Sequence, residues 1–157
     1  MLNQDNVYIK MKKYILILIA LMVISCNFNK TYRNREEDKQ EAEKITEKFY
    51  DLIKKNERQE VFKLFGKKFF NVEQGKITNK EQLGQMLDDI NAECGDKISS
   101  NQLTIWETFV SVGTNPKSQY VLLYKVKRNI QNTQEKFTLE KNLDSIKIVG
   151  YDVSLTK

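Results

Sequence analysis

The chain contains no histidine, and among its 157 residues it has only one proline, two cysteines and six glycines. Without histidine, neither a Ser-His-Asp triad nor a Cys-His nucleophile pair can form. Zinc sites built on imidazole are excluded for the same reason, and Cys26 and Cys94 are too few for a site built on thiolates. Histidine-dependent catalysis and structural zinc therefore play no part in the function predicted for this sequence.

Recognisable phosphate-binding and calcium-binding loops are also missing. The sequence contains no GxxxxGK[ST] loop, no dinucleotide-binding glycine fingerprint and no EF-hand loop. The motif S-x-x-K occurs at Ser154–Lys157 on a predicted strand, whereas this motif acts at the start of a helix. The sequence thus predicts no catalytic residue, no metal site and no cofactor.

One long apolar run is present, Tyr14–Ile24, and it is too short to cross a bilayer, which takes about 20 helical residues. Two lysines precede this run, and Val23–Cys26 follows the lipobox pattern of an aliphatic residue, a small or aliphatic residue, a small residue and a cysteine. The arrangement is typical of a bacterial lipoprotein signal. Cys26 is the predicted lipid attachment site, and an ordinary secretory signal or a buried helix is the alternative.

The lipobox also predicts the organisation of the chain. Translation is expected to start at Met11, because the ten residues before it are polar and precede the cationic region; an extended region starting at Met1 is the alternative. Residues 1–25 would be removed, 26–36 would form the lipidated cysteine and a flexible tether, and 37–157 would form a single domain. The protein is expected to be exported and lipid-anchored to a bacterial membrane in the cell envelope.

Charge gives little reason to expect a nucleic-acid partner. The formal charge of +5 falls to +3 over the 132 residues after Ser25, because three lysines and one aspartate lie before that point. The densest basic cluster, Lys54–Lys68, is interrupted by Glu57 and Glu60, which is typical of a solvated helix face; attraction to anionic lipid headgroups is the alternative. The expected partners are the membrane through the lipid anchor and either an envelope protein or a small apolar ligand.

Apolar residues at helical spacing predict three helices in the first half of the chain. The first ends near Lys55, the second is short and closes at Gly66, and the third starts at the capping box Thr78–Glu81 and ends at Gly95. Cys94, just before that glycine, is expected to be a small buried residue. If Cys26 is acylated, Cys94 is the one remaining thiol and no intrachain disulfide can form.

From Leu103 onward the apolar pattern takes the period of a strand, and short turns separate four runs. The predicted strands are Leu103–Val112, Tyr120–Arg128, Gln134–Leu143 and Ser145–Leu155. In the last run the apolar positions change parity, and a β-bulge at Val149–Gly150 would return them to one face. The predicted fold class is α+β, with three N-terminal helices packed on a curved four-stranded antiparallel sheet.

The final hairpin, from Phe137-Thr138-Leu139 through Ile146 to Tyr151, resembles the ending common in the nuclear transport factor two superfamily. The resemblance spans roughly residues 41–155 and implies a cystatin-like cone in which the helices cover the concave face of the sheet. The sequence departs from it at Ile146, where many members have tryptophan, and at Asn142–Asp144, where they often have Asp-Gly. These motifs are structural and imply no activity. An unrelated α+β sandwich is the alternative fold.

Four residues are candidates for lining a cavity of such a cone: Trp106, Glu107, Tyr124 and Tyr151. Glu107 would have a raised pKa if it pointed into the cavity, and would be an ordinary strand charge if it pointed outward. The three aromatic residues would line a ligand cavity or simply pack in the core.

The predicted function is that of a membrane-anchored envelope lipoprotein with a non-catalytic binding or protein-interaction domain. The alternative is a small-molecule-binding cone with weak carboxylate-based hydrolase or isomerase activity. This alternative requires a buried carboxylate with a partner such as Tyr124.

Overall fold

The computed structural model describes residues 29–71, 77–142 and 145–156, and its elements confirm an α+β fold with three α-helices and a five-stranded antiparallel sheet. A 3-10 helix, Lys67–Phe70, follows the second α-helix. The elements are β1 (Lys30–Arg33), α1 (Glu36–Lys54), α2 (Arg58–Leu64), α3 (Lys80–Cys94), β2 (Ile98–Val112), β3 (Lys117–Arg128), β4 (Thr133–Asn142) and β5 (Ser145–Leu155).

The strands lie in chain order, β1-β2-β3-β4-β5, as an up-and-down meander. The prediction of four strands was wrong, because β1 pairs with the end of β2 at the edge of the sheet, from Lys30 opposite Val112 to Arg33 opposite Phe109. This strand lies inside residues 26–36, which were predicted to form a flexible tether. Residues 1–28, including the predicted signal and Cys26, lie outside the described part of the chain.

Two hydrogen bonds between Asn34 and the backbone of Thr108 fix the end of β1 against β2. The Asn34 backbone N–H donates to the Thr108 carbonyl at 3.0 Å, and the Asn34 side-chain oxygen accepts from the Thr108 N–H at 3.0 Å. Asn34 has a positive φ of 51°, which asparagine tolerates better than most residues. The chain turns at this point from the edge of the sheet into α1.

The helices pack on one face of the sheet and leave the other face open. Along β3 the residues Tyr120, Leu122, Tyr124 and Val126 are buried, whereas the alternating Lys125 and Lys127 are exposed. Phe49 of α1 lies at the centre of the core, with its ring 5.1 Å from Phe137 and 5.3 Å from Tyr151. Each such aromatic side chain contributes roughly 1.5–3 kcal/mol through burial.

The described strands contain three register shifts, of which one lies between Ile98 and Ser100 at the start of β2 and two bear on the candidate residues. On β5, Gly150 lies opposite Thr138 and Ile148 opposite Leu139, so Val149 is the extra residue and the bulge predicted at Val149–Gly150 is confirmed. The second bulge lies between Leu103 and Ile105 of β2 and was not predicted. It moves the downstream residues by one position, so that Leu103 packs against the core while Ile105 is 57% exposed on the open face.

The helix boundaries agree with the sequence pattern except at the start of α3. The cap of α3 is Asn79, whose side-chain oxygen accepts from the Gln82 N–H at 2.9 Å, and not the predicted Thr78. The Gln82 side chain reaches back and accepts at 2.6 Å from the N–H of Thr78, which is the residue before the cap, so the return bond of a capping box is offset by one residue. Gly95 ends α3 as predicted, and Cys94 is buried with a free thiol.

Candidate functional site

The four residues predicted to line a cavity do not form one site. Trp106 is half-buried on the helix-covered face, with the Lys39 ammonium 5.6 Å from the centre of its ring. Glu107, the next residue, lies on the open face, where it is exposed and lines a small pocket of about 220 Å³ with Arg33 and Gln119. The bulge before Ile105 gives Glu107 this outward position.

Tyr124 and Tyr151 are buried in the core between α1 and the sheet. The Tyr124 hydroxyl shares a 2.6 Å hydrogen bond with Thr46 of α1, and burial raises the pKa of Tyr124 to about 12. The Tyr151 hydroxyl donates to Glu135 at 2.8 Å. Both tyrosines therefore act as packed residues whose hydroxyl groups have partners inside the protein.

A buried carboxylate does exist, and it belongs to Glu135 on β4, whose exposed fraction is 0%. One carboxylate oxygen accepts from the hydroxyls of Tyr50 at 3.1 Å and Tyr151 at 2.8 Å. The other accepts from the Thr133 hydroxyl at 2.9 Å and from the guanidinium of Arg128 at 2.8 and 3.3 Å. We call these five residues the Glu135 cluster.

Arg128 is the counter-ion of this buried carboxylate. Burial alone would lower its pKa, but the charge of Glu135 and their hydrogen bonds outweigh that effect, so the pKa of Arg128 is raised. A further guanidinium hydrogen bond reaches the Gly95 carbonyl at 3.1 Å, which ties the β3–β4 end of the sheet to the end of α3. The pair is only seven residues apart in sequence and spans the turn between two strands.

The geometry of the Glu135 cluster suits stability better than catalysis. Five donors occupy the two oxygens, so a substrate proton would have to displace one of them. Burial raises the pKa of Tyr50 and of Tyr151 well above the ordinary value for tyrosine, which keeps both hydroxyls protonated as donors. A saturated network of this kind fixes the register of its strands, because any slip leaves a charge buried without a partner.

A cleft of about 720 Å³ lies on the covered face of the sheet, next to the start of α1. Its walls combine aliphatic and aromatic surface from β2 and β3 with charged side chains from α1 and β4. The residues around it are Arg35, Glu37, Asp38, Glu41, Val110, Ser111, Val112, Pro116, Ser118, Tyr120, Lys141 and Asn142. We call this site the cleft.

The cleft exists because the β2–β3 hairpin extends beyond the start of α1, so α1 does not cover the end of the hairpin. β1 stops opposite Phe109 and the chain leaves the sheet at the level of Thr108. The hairpin continues to Val112 and resumes at Lys117, so its last residues project past the first turn of the helix. That projecting piece of sheet is left without a helix over it.

Charges around the cleft are paired with one another. Asp38 is buried and accepts two hydrogen bonds of 2.7 Å from the Arg35 guanidinium, and these bonds raise the pKa of Arg35. Lys141 of β4 donates to Glu41 of α1 at 2.9 Å, and this bond raises the pKa of Lys141. The walls thus present paired charges of both signs above an apolar floor that includes Val110 and the buried Tyr120.

Nothing in the described residues suggests a bound metal ion, since no group of three or more acidic or cysteine side chains there could hold one. No described helix is both long enough and apolar enough to cross a membrane.

Comparison with protein-family models, curated proteins and solved structures finds no match to this chain.

The Glu135 cluster and the cleft were both missed at the sequence level. Glu135 has the same strand parity as Phe137 and Leu139, so the alternation along β4 that buries these two apolar side chains also buries a carboxylate. In β3, Arg128 has the parity of Tyr124 and Val126 in the same way. The cleft could not be predicted, because it depends on where α1 starts relative to the hairpin.

Proposed function

We propose that the chain is an exported lipoprotein, anchored to a bacterial membrane of the cell envelope through Cys26. The lipobox pattern ending at Cys26 supports this, as does the start of the folded domain at β1 directly after it. Cys26→Ser should abolish metabolic labelling with palmitate and release the protein into the soluble fraction. Cys94→Ser is the matched control, and retention of Cys26→Ser in the membrane fraction would contradict the anchor.

We further propose that the domain is a non-catalytic binding module whose ligand occupies the cleft. The observation that carries this proposal is the cleft itself, since its volume of about 720 Å³ lies in the range of small-molecule sites, roughly 300–1,000 Å³. The apolar floor favours a ligand with an apolar body. The paired charges of Arg35–Asp38 and Lys141–Glu41 at the walls favour polar groups of either sign on that body.

An amphiphilic dye with aromatic rings and a sulfonate group, anilinonaphthalene sulfonate, tests this site on the chain that starts at Asn29. Ser118→Trp places a large ring in the cleft, whereas Gln119→Trp places the same ring one residue further on, on the open face. We expect saturable dye binding that Ser118→Trp weakens about tenfold, by roughly 1.4 kcal/mol. Equal affinity in the two variants, or a greater loss in Gln119→Trp, would remove the cleft as the site.

An interaction with an envelope protein through the open sheet face is the second candidate. Ile105 is 57% exposed there, and Val121 and Leu123 of β3 lie opposite Glu107 and Ile105 in the same face. Carboxylate-based hydrolase or isomerase activity gains no support from Glu135, because all its contacts are made inside the core. Tyr124, the partner expected for a catalytic carboxylate, bonds to Thr46 instead.

We also propose that the domain is a cystatin-like cone of the nuclear transport factor two type. The bulged, curved meander with helices on one face is consistent with that architecture. The absence of histidine separates this chain from the enzymes of that group that use an Asp-His general-base pair. A crystal structure of the domain with bound ligand would test both the cone shape and the cleft.

A further inference from the structure

The β2–β3 hairpin and the first described residue lie at one end of the domain. Asn29 is held there, because its side-chain oxygen accepts from the Thr114 backbone N–H at 3.2 Å. The next residue, Lys30, pairs with Val112 at the end of β2. We call residues 112–117 the hairpin tip. The chain therefore enters the domain at the hairpin tip, and the same tip forms one wall of the cleft.

The distance from the proposed anchor to the hairpin tip is short. Asn29 comes three residues after Cys26, and three residues in a fully extended chain span at most about 11 Å. The headgroup layer of one leaflet is itself about 5–8 Å thick. A lipid on Cys26, as assigned under the proposed function, would thus hold the hairpin tip at the membrane surface and leave no room for a long tether.

The surface chemistry of the hairpin tip suits an interface with lipid. Val112 is 42% exposed and Pro116 is also exposed, which places two apolar side chains at the end of the projecting hairpin. Two basic residues lie beside them, since Lys30 pairs with Val112 and Lys117 is the last residue of the tip, opposite Ser111. An apolar tip with flanking lysines combines burial at the acyl boundary with attraction to anionic headgroups, at about 1 kcal/mol per basic residue near the surface.

We propose that the hairpin tip is a second, non-covalent contact with the bilayer to which Cys26 is anchored. The domain then stands on the membrane with the tip down, and the cleft opens at the level of the lipid headgroups. The β3–β4 turn, residues 129–132, points away from the membrane at the opposite end of the sheet. This proposal rests on the lipid anchor and adds to it the orientation of the domain and the residues that set it.

The test uses the full-length lipoprotein, processed in a bacterial host and reconstituted into vesicles of phosphatidylethanolamine and phosphatidylglycerol. A fluorophore is attached at Asn115→Cys in the hairpin tip or at Gln131→Cys in the opposite turn, both exposed, with Cys94→Ala in the background. Acylated Cys26 has no free thiol to react. A nitroxide carried by lipid should quench the Asn115 label at least about twofold more than the Gln131 label, because quenching requires contact with the interface.

Val112→Asp and Ile130→Asp form the matched pair that tests the contact itself. Both residues are exposed aliphatic side chains, 42% and 66% exposed, at opposite ends of the sheet. Val112→Asp should reduce quenching of the Asn115 label about twofold or more while the protein still sediments with vesicles, and Ile130→Asp should leave it unchanged. Urea unfolding of both variants checks that neither effect comes from loss of the fold.

Sedimentation separates the two proposals. If the protein sediments with vesicles but the two labels are quenched equally, or if Val112→Asp has no effect on quenching, the hairpin contact is wrong and the lipid anchor stands. If the unsubstituted protein does not sediment at all, the lipid anchor is wrong and the contact that rests on it is wrong too.

Discussion

At the scale of single residues, Glu135 is the position on which the covered face of the sheet depends most. Its carboxylate joins β4 to Arg128 of β3, Tyr50 of α1 and Tyr151 of β5. A buried ion pair is costly to form, because both charges lose water, but breaking it by removing one partner is costlier still. The loss of stability should therefore be large when one partner is replaced and smaller when both are replaced together.

Glu135→Gln should destabilise the domain by about 3–5 kcal/mol, because the guanidinium of Arg128 then stays buried without a counter-charge. Chemical unfolding in urea measures the change. The double variant Glu135→Leu with Arg128→Met should recover much of the loss, since it removes both charges together. A Glu135→Gln protein as stable as Lys136→Gln, whose own ion pair with Asp152 is exposed, would show that the buried pair contributes little.

The buried tyrosines predict a loss of stability in alkali. The pKa of Tyr124 is raised to about 12 and burial raises the pKa values of Tyr50 and Tyr151 well above the ordinary value, whereas an unfolded tyrosine ionises near pH 10. Their contribution is fully present below about pH 10 and is lost as the pH rises through the folded pKa values, because only the unfolded chain releases the protons there. Each tyrosine should add about 1.4 kcal/mol per pH unit to that slope.

Tyr124→Phe isolates one tyrosine, since Thr46 keeps its hydrogen bond to the Glu43 carbonyl. Between pH 10 and about 12, the variant should release one proton fewer on unfolding than the unsubstituted protein. The unfolding free energy should therefore depend less steeply on pH. Urea unfolding at several pH values in that interval measures it. Identical slopes would mean that Tyr124 titrates in the folded state as it does in the unfolded chain.

At the scale of elements, Gly84 within α3 and Gly95 at its C-terminal cap should respond to alanine with opposite changes in stability. A Cβ at Gly84 would meet Phe62 at 3.5 Å, an ordinary contact, so Gly84→Ala should stabilise the helix by up to about 1 kcal/mol. Gly95 has a φ of 98°, and a Cβ there would lie 2.1 Å from the Asn129 side-chain oxygen. Gly95→Ala should therefore destabilise by about 1–3 kcal/mol, and thermal unfolding of both variants checks the signs.

Elements with a strong apolar period were predictable from the sequence, and β1 was not. β5 was predicted with its observed bounds and its bulge, because Ile146, Ile148 and Tyr151 must all reach one face. β1 has four residues, of which only Tyr32 packs partly against the core, so no alternation marks it. Its pairing comes from the exposed edge of β2 and from the bonds of Asn34, which are features of the assembled sheet.

The candidate site was less predictable than the fold, for a physical reason. Parity along a strand gives the face of a residue, and it correctly separates Glu135 from Lys136. A bulge changes parity, and the one before Ile105 reversed the relation between Leu103 and Glu107 without any glycine to mark it. The cleft depends on the relative positions of α1 and the hairpin, which no local pattern encodes.

At the scale of the whole molecule, β1 belongs to the folded domain, although the domain was predicted to begin only at residue 37. A chain that starts at Asn29 should unfold cooperatively in urea. A chain that starts at Glu36 lacks β1, the Asn34 bonds to Thr108 and the Arg35 partner of the buried Asp38. It should be less stable by at least about 2 kcal/mol, since each lost hydrogen bond contributes about 1 kcal/mol. Equal urea midpoints for the two chains would show that β1 is dispensable for stability.

The single tryptophan gives the domain a built-in optical reporter. Trp106 lies half-buried on β2, and Lys39 from the first turns of α1 lies over its ring. The emission wavelength of Trp106 therefore responds to whether α1 is packed against the sheet. This contact lies close to the point where the helix borders the cleft. Seating of this helix can be followed by intrinsic fluorescence alone, with no dye and no added cysteine.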